Sequence, residues 1–214
     1  MPDPSPLRPC RWILVSALAM CDRDPKRLEQ EFDARYSFGE KPGKLGQGAY
    51  AIAQVARTAH GREVVVKKFQ KQVQQQQILA EIGILEALQH ENVIELLDAW
   101  NIGGSWRLVM QHGGASVKAL LARDPIPSDS VRSLTRQLLA GLAYVHSRGL
   151  IHNDVTPANL VVDLDGVARL ADFGNSVAEK PGSRGDWRPS MATRGVPQVT
   201  SWYRAPEICA GLLL

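Results

Sequence analysis

Cysteine is scarce in this chain of 214 residues. The three present, Cys10, Cys21 and Cys209, lack metal-ligand spacing and are too few for a disulfide framework. Reduced thiols in a cytoplasmic or nuclear protein are the expectation. A surplus of charge of either sign is also missing: Lys and Arg number 25 against 22 Asp and Glu, for a formal charge of +3. That balance gives no reason to expect a nucleic-acid partner. No apolar run is long enough to span a bilayer. Trp12-Ile13-Leu14-Val15-Ser16-Ala17-Leu18-Ala19-Met20, behind Arg8 and Arg11, has the composition of a signal-peptide core but falls well short of a membrane span. A short docking or core-covering segment behind a Pro-rich, disordered start at residues 1–9 is the reading adopted, with no membrane partner. No internal repeat is evident. The length suffices for one large domain or two small lobes with a real core.

Residues 22–36 are charged, with helical potential but no clear apolar stripe. From Phe38 the pattern changes to short β-like runs between turn residues. Leu45-Gly46-Gln47-Gly48 opens one hairpin, and Ala59-His60-Gly61-Arg62 precedes the β-branched run Val64-Val65-Val66. Ile78, Ile82, Leu85 and Leu88 recur at helical spacing with Glu81 beside them. Residues 93–97 and 106–110 read as two further strands, followed by a Gly113-Gly114 link. Beyond the link the pattern is mostly helical. Ser128 or Asp129 can cap a helix carrying Val131, Leu134, Leu138, Leu139, Leu142 and Val145, ending near Gly149. Residues 160–163 and 167–170 flank Leu164-Asp165-Gly166 as a hairpin. The reading is an α+β, two-lobed architecture with a cleft between lobes. Its parts are an N-terminal extension at 1–35, partly disordered, a β-rich N-lobe with one main helix and a hinge at 36–113, and an incomplete helical C-lobe at 114–214.

Chemistry concentrates in Ile151-His152-Asn153-Asp154-Val155-Thr156-Pro157-Ala158-Asn159-Leu160, followed by Asp172-Phe173-Gly174 and Ala205-Pro206-Glu207. An acid, an amide and a second acid stand at the spacing that phosphoryl transfer from a metal–nucleotide complex requires. Asp154 can hold the attacking hydroxyl, and Asn159 and Asp172 offer hard oxygens to magnesium. Each motif alone is common; the ordered set is not.

On these motifs the chain resembles the eukaryotic protein kinase family over most of residues 36–214. The run Thr200-Ser201-Trp202-Tyr203-Arg204-Ala205-Pro206-Glu207 is similar to that of the cyclin-dependent and MAP kinase (CMGC) group. The resemblance implies ATP and Mg2+ as cofactors and protein hydroxyls as acceptors, with Ser/Thr and proline-directed substrates the finer expectation. It also implies a protein substrate and leaves room for an activating protein partner. Gly46-Gln47-Gly48-Ala49-Tyr50-Ala51 looks like the Gly-rich loop over the phosphates, with Ala51 in place of the third glycine. Lys67 matches the strand lysine that contacts phosphate. An ammonium of that kind needs a counter-charge to stay oriented, and Glu81 is the expected partner, with Glu86 the runner-up. Leu45, Gly46, Gln47, Gly48, Ala53, Val65, Met110, Gln111, Gly113 and Val161 complete the expected nucleotide-binding set with Lys67 and Glu81. Ala53 and Val65 reverse the family's usual large and small residues, which suggests that their volumes compensate. His152 and Phe173 are expected to pack rather than react.

Four departures qualify the resemblance. Asn153 replaces an arginine that pairs with a phosphorylated activation segment. Thr156, placed with Asp154, Lys67 and Asn159 in the catalytic set, replaces a lysine and supplies no charge; losing one such contact can cost on the order of 10² in rate. The T-x-Y pair of MAP kinases is absent, since Gly195 and Pro197 occupy those places, and Ser183, Ser190 and Thr193 are the alternative phosphorylation candidates. The sequence stops soon after A-P-E, which reads as truncation. A pseudokinase or nucleotide-binding regulatory fragment without transfer activity is therefore the alternative. Small-molecule kinases of the choline or aminoglycoside type also read H-N-D, but they lack the D-F-G and W-Y-R-A-P-E pairing seen here.

Overall fold

Alternation along one strand organises the first half of the protein. In Glu63–Phe69, Val64 and Val66 are buried on one face, while Val65 and Lys67 point to the other. The computed structural model describes residues 12–39, 44–47, 50–178 and 201–203. Its contacts divide the chain into two units, one of residues 1–89 and 94–112, the other of 90–93 and 113–214.

The first unit is built on an antiparallel sheet of β1 (Tyr36–Ser37), β2 (Lys44–Gln47), β3 (Ala51–Thr58), β4 (Glu63–Phe69), β5 (Leu96–Ile102) and β6 (Ser105–Gln111). Its order is β1-β3-β4-β6-β5, with β2 also on β3. Three helices belong to it, α1 (Trp12–Ala19), α2 (Pro25–Arg35) and α3 (Gln75–Glu86). The strand expected at 93–97 lies further on. Val93 makes a single bridge to Leu170, and the ladder runs over Leu96–Ile102. Asp98 and Asn101 interrupt the apolar run there and hid the strand from a hydrophobicity reading.

Residues 22–36 also hold a stripe that their composition concealed. Asp24 caps α2 through Lys26 N–H at 3.1 Å, and Pro25 stands in the first turn. Leu28 and Phe32, one helical turn apart, are fully buried and continue into Tyr36. They join Ala56, Val64, Val66, Trp100, Ile102 and Val109 in one core. Two residues sufficed, because polar partners secure the rest. Glu29 takes Arg107 Nη2 on both oxygens at 2.7 and 2.8 Å, and that guanidinium lies 4.5 Å over the Phe32 ring. Asp98 accepts from Tyr36 Oη at 2.9 Å and from Trp100 Nε1 at 2.8 Å. Burial, then the Asp98 carboxylate, pushes the Tyr36 phenol well above its usual range. The described part of the expected extension is thus helical and integral to this unit; residues 1–11 lie outside the described residues.

The second unit contains β7 (Ala115–Ser116), α4 (Val117–Leu121), α5 (Ser128–Ser147), β8 (Leu150–Ile151), β9 (Leu160–Val162), β10 (Ala168–Leu170) and β11 (Val177–Ala178). Pro127, not Ser128 or Asp129, occupies the N-cap of α5, and no side chain caps it. The apolar residues of α5 do not share one buried side. Val145 and Gly141 are buried, whereas Val131 and Leu139 are exposed. Adjacent leucines at 138 and 139 are about 100° apart on a helix and cannot both face one narrow contact. Gly141 lets the helix approach Asn92, whose Nδ2 donates to Ala168 O at 2.9 Å and to Gln137 Oε1 at 3.2 Å. The expected hairpin forms as β9–β10, with Leu160 opposite Leu170. Its five-residue connection is tied by Asp163, which accepts from Asp165 and Val167 N–H. Arg169, at 2.7 Å, holds the Asp163 carboxyl below its ordinary pKa. Among the described residues no helix is long and apolar enough to cross a membrane.

Gly114 has φ +86°, and a Cβ there would stand 2.0 Å from Val162 O. Gly114→Ala should cost about 2 kcal/mol or more, from left-handed backbone strain plus backbone overlap. Phe32→Ala should cost about 3–5 kcal/mol. Denaturant midpoints against the parent chain check both.

Candidate active site

Strand β4 carries Lys67 opposite Ala53 of β3 and Leu108 of β6. Its Nζ donates to Glu81 Oε1 of α3 at 2.7 Å and lies 5.2 Å from the Phe69 ring centroid. Lys67 is 14% exposed and Glu81 4%, so the pair is largely withdrawn from water and each charge offsets part of the cost of burying the other. The runner-up acid, Glu86, is engaged elsewhere: its Oε1 accepts from Leu14 N–H at 2.9 Å. Val65 faces the same side as Lys67, and its register partners are Val55 and Met110. Ala53 is therefore a diagonal neighbour of Val65 rather than its direct partner. Gly46 and Gln47 pair with Ala53 and Ile52 past a bulge, and Leu45 is exposed. Gly48 lies outside the described residues. Met110 also pairs with Leu96, Gln111 N–H donates to Glu95 O at 3.0 Å, and Gly113 opens the second unit.

In the second unit one residue, Ala171, joins the two motif loops. Its N–H donates to Asn159 O at 2.8 Å, and its carbonyl accepts from His152 Nε2 at 3.1 Å. Both bonds fix the backbone just before Asp172. The other nitrogen of His152, Nδ1, accepts from Asp154 N–H at 3.2 Å, which makes the imidazole the neutral Nε2–H tautomer. Phe173 packs edge-on against that ring at 4.7 Å. Asn159 Nδ2 donates to Asp154 O and to Asp154 Oδ2, each at 2.9 Å. Oδ1 of Asp154 is buried and has no hydrogen-bond partner among the described residues. Such an acceptor is costly unless something arrives to use it.

Backbone strain marks the same place. Asn153 (φ 63°) and Asp172 (φ 61°) are the non-glycine residues with positive φ among the described residues. Asn153 Nδ2 reaches Asn175 O at 3.3 Å, and Asn175 Nδ2 approaches Asp154 Oδ2 at 3.5 Å. Asn175 was not singled out from sequence; its place one residue after D-F-G was the available signal. Thr156 is 5% exposed, Val161 is partly buried on β9, and Asp172 is exposed. Thr200, Ser183, Ser190, Thr193 and A-P-E lie outside the described residues, whereas Trp202 and Tyr203 are exposed in a short turn.

The first unit thus carries a lysine paired to a helical glutamate, and the second an acid–amide–acid set tied through one alanine. The protein kinase domain model matches residues 40–212. The chain belongs to the protein kinase family. It is 30% identical to cyclin-dependent kinase-like 5 of Mus musculus over 176 residues, covering 79% of this chain and 18% of that protein. The Homo sapiens counterpart matches to the same extent. Mitogen-activated protein kinase 12 of Mus musculus is 34% identical over 175 residues, covering 77% of this chain and 45% of that protein. This kinase chain thus spans less than half the length of the curated relatives it matches, and they place it with the cyclin-dependent and MAP kinase group.

The donor set fits magnesium. Both atoms facing Asn159 Nδ2 are acceptors, which assigns the amide nitrogen to them and turns the amide oxygen away from Asp154, where it could serve a metal. With the Asp172 carboxylate that makes two hard donors. Magnesium commonly takes few protein ligands and completes its shell with phosphate and water. No cluster of three or more acidic, His or Cys side chains forms among the described residues, and such an ion needs none.

Burial holds the His152 pKa below its ordinary value of 6.5, against the Ala171 carbonyl and the Asp172 and Asp154 charges. A depressed histidine favours the folded state fully above the unfolded pKa, and that contribution is lost as pH falls below about 6.5. Protonation would also turn Nδ1 from acceptor to donor against Asp154 N–H. Between pH 7.5 and 5.5 the parent chain should lose more stability than His152→Gln, as read by thermal unfolding.

Proposed function

We propose that this chain binds ATP with Mg2+ and transfers the γ-phosphate to serine or threonine hydroxyls of a protein substrate, with proline after the target residue. The observation that carries this reading is the Asp154 carboxylate: Oδ2 is held by Asn159, while Oδ1 is buried without a partner among the described residues. A substrate hydroxyl donates to Oδ1, which orients its oxygen for attack on the γ-phosphorus. As that P–O bond forms, the bond to the β-phosphate oxygen breaks, ADP leaves, and the hydroxyl proton passes to Asp154. Asn159 and Asp172 hold the metal ion, which neutralises phosphate charge. Lys67, kept in place by Glu81, contacts the phosphates; Leu45, Gly46, Gln47, Gly48, Ala53, Val65, Met110, Gln111, Gly113 and Val161 form the rest of the nucleotide site. Thr156 contributes one neutral hydrogen bond at most, so turnover is slow. The likeness to cyclin-dependent and MAP kinases supports a protein substrate and an activating protein partner, in the cytoplasm or nucleus.

A second reading, nucleotide binding without transfer, is favoured by the same Thr156, buried and uncharged. One experiment separates them. Labelled phosphate should enter Ser-Pro peptides with MgATP, and Asp154→Asn should lower that rate by about 10²- to 10⁴-fold while leaving MgATP affinity within about twofold. MgATP-induced thermal stabilisation with no labelled product would leave only the second reading.

A further inference from the structure

Helix α3 is weak by its own sequence. No side chain caps its first turn, and that turn holds no acid. Gly83 stands exposed in its middle, where glycine costs about 1 kcal/mol against alanine. Yet this helix must hold Glu81 against Lys67. Its apolar residues Ile78, Ile82 and Leu85 are buried, and its two late carboxylates point different ways. Glu81 reaches the β4 lysine. Glu86, five residues on and more than a third of a turn round, reaches the first turn of α1.

Helix α1 packs on both α3 and β5. Its Ala17 is fully buried, and its sequence is apolar almost throughout, so it gains little from standing free in water. Leu14 N–H, one of the donors that an α-helix leaves unpaired at its start, is answered by Glu86 Oε1 at 2.9 Å. All of these groups lie within the first unit.

We propose that α1 is a built-in brace for α3, and that Glu86 is a positioning residue which, through Leu14 N–H, keeps Glu81 aligned on Lys67. The inference rests on the nucleotide-binding reading of Lys67 given above. It assigns residues 12–19, none of which is among the nucleotide-binding residues named above, a role in nucleotide affinity.

The test uses the full chain and two readouts, amide hydrogen exchange across residues 78–86 and MgATP affinity. Glu86→Ala should raise exchange in α3 above any change in β3 or β4 and weaken MgATP roughly three- to tenfold. Glu86→Gln, which keeps an acceptor, should stay within about twofold. A Cβ at Gly83 meets nothing within 4 Å, so Gly83→Ala stiffens α3 without touching either partner. Added to Glu86→Ala it should recover both exchange and affinity, and it supplies a stabilised background should the single variant fold poorly. Unchanged α3 exchange in Glu86→Ala overturns the proposal, as does increased exchange that leaves MgATP affinity intact or a loss that Gly83→Ala does not recover. Lys67→Met is the control for the underlying reading. If it leaves MgATP affinity unaltered, the role of Lys67 fails, while exchange in α3 still decides whether α1 braces that helix.

Discussion

The contact between Lys67 Nζ and Glu81 Oε1 imposes the strictest condition on the first unit. Two opposite charges at 2.7 Å, both largely withdrawn from water, are tolerable only if strand and helix are held in fixed relation. The alternation of β4 meets half of that condition. Val64 and Val66 anchor the strand to the core formed with Leu28, Phe32 and Trp100, and this turns Lys67 to the opposite face. The other half falls on α3, a helix with little intrinsic stability. The helices preceding the sheet are therefore part of what fixes the ion pair. Helix α2 is held to the sheet by Glu29 on Arg107, and Tyr36, just after it, by Asp98.

The second unit solves a related problem with neutral groups. Its acids sit on short loops, and loops hold position only when their backbone groups are bonded. Ala171 is bonded on both sides, Asn159 fastens Asp154 twice, and His152 accepts the Asp154 N–H. A neutral imidazole is essential to that arrangement, since an imidazolium has no lone pair for Asp154 N–H. Burial, which lowers the His152 pKa, is thus the condition for a properly oriented carboxylate.

What the sequence made legible was whatever depended on local spacing. The strand β4, the helical face of Ile78, Ile82 and Leu85, and the β9–β10 hairpin could all be read from β-branched runs, spacing and turn residues. Glu81, expected as the counter-charge of Lys67 ahead of Glu86, is the acid that meets it. Harder to read were features set by partners distant in sequence. The buried side of α2 rests on two apolar residues and an arginine 78 positions away. The continuation of β5 past Leu97 was obscured by Asp98, which serves Tyr36 and Trp100 rather than solvent. Asn175 gives no sign in a window of its neighbours that it will meet Asn153 and Asp154. Leu138 and Leu139 read as one stripe in a list of apolar positions, whereas helical geometry separates them.

Asn153 shows how a departure from the family pattern changes the physics without emptying the position. An arginine there would offer a charged fork to a phosphate; asparagine offers one neutral amide, and it goes to Asn175 O. Asparagine also tolerates the left-handed backbone at φ 63° better than most residues, so the turn that aims Asp154 is not compromised. Ser176 Oγ adds a bond to His152 O at 3.2 Å, and β8 pairs with β11 through Ile151 and Val177. None of these contacts between residues 173–178 and the H-N-D loop is an ion pair. Salt screens ion pairs but hardly affects such bonds, and their strength does not wait on a phosphate arriving. The geometry around Asp154 is consequently set by the fold of this unit rather than by a charge-assisted clamp at Asn153.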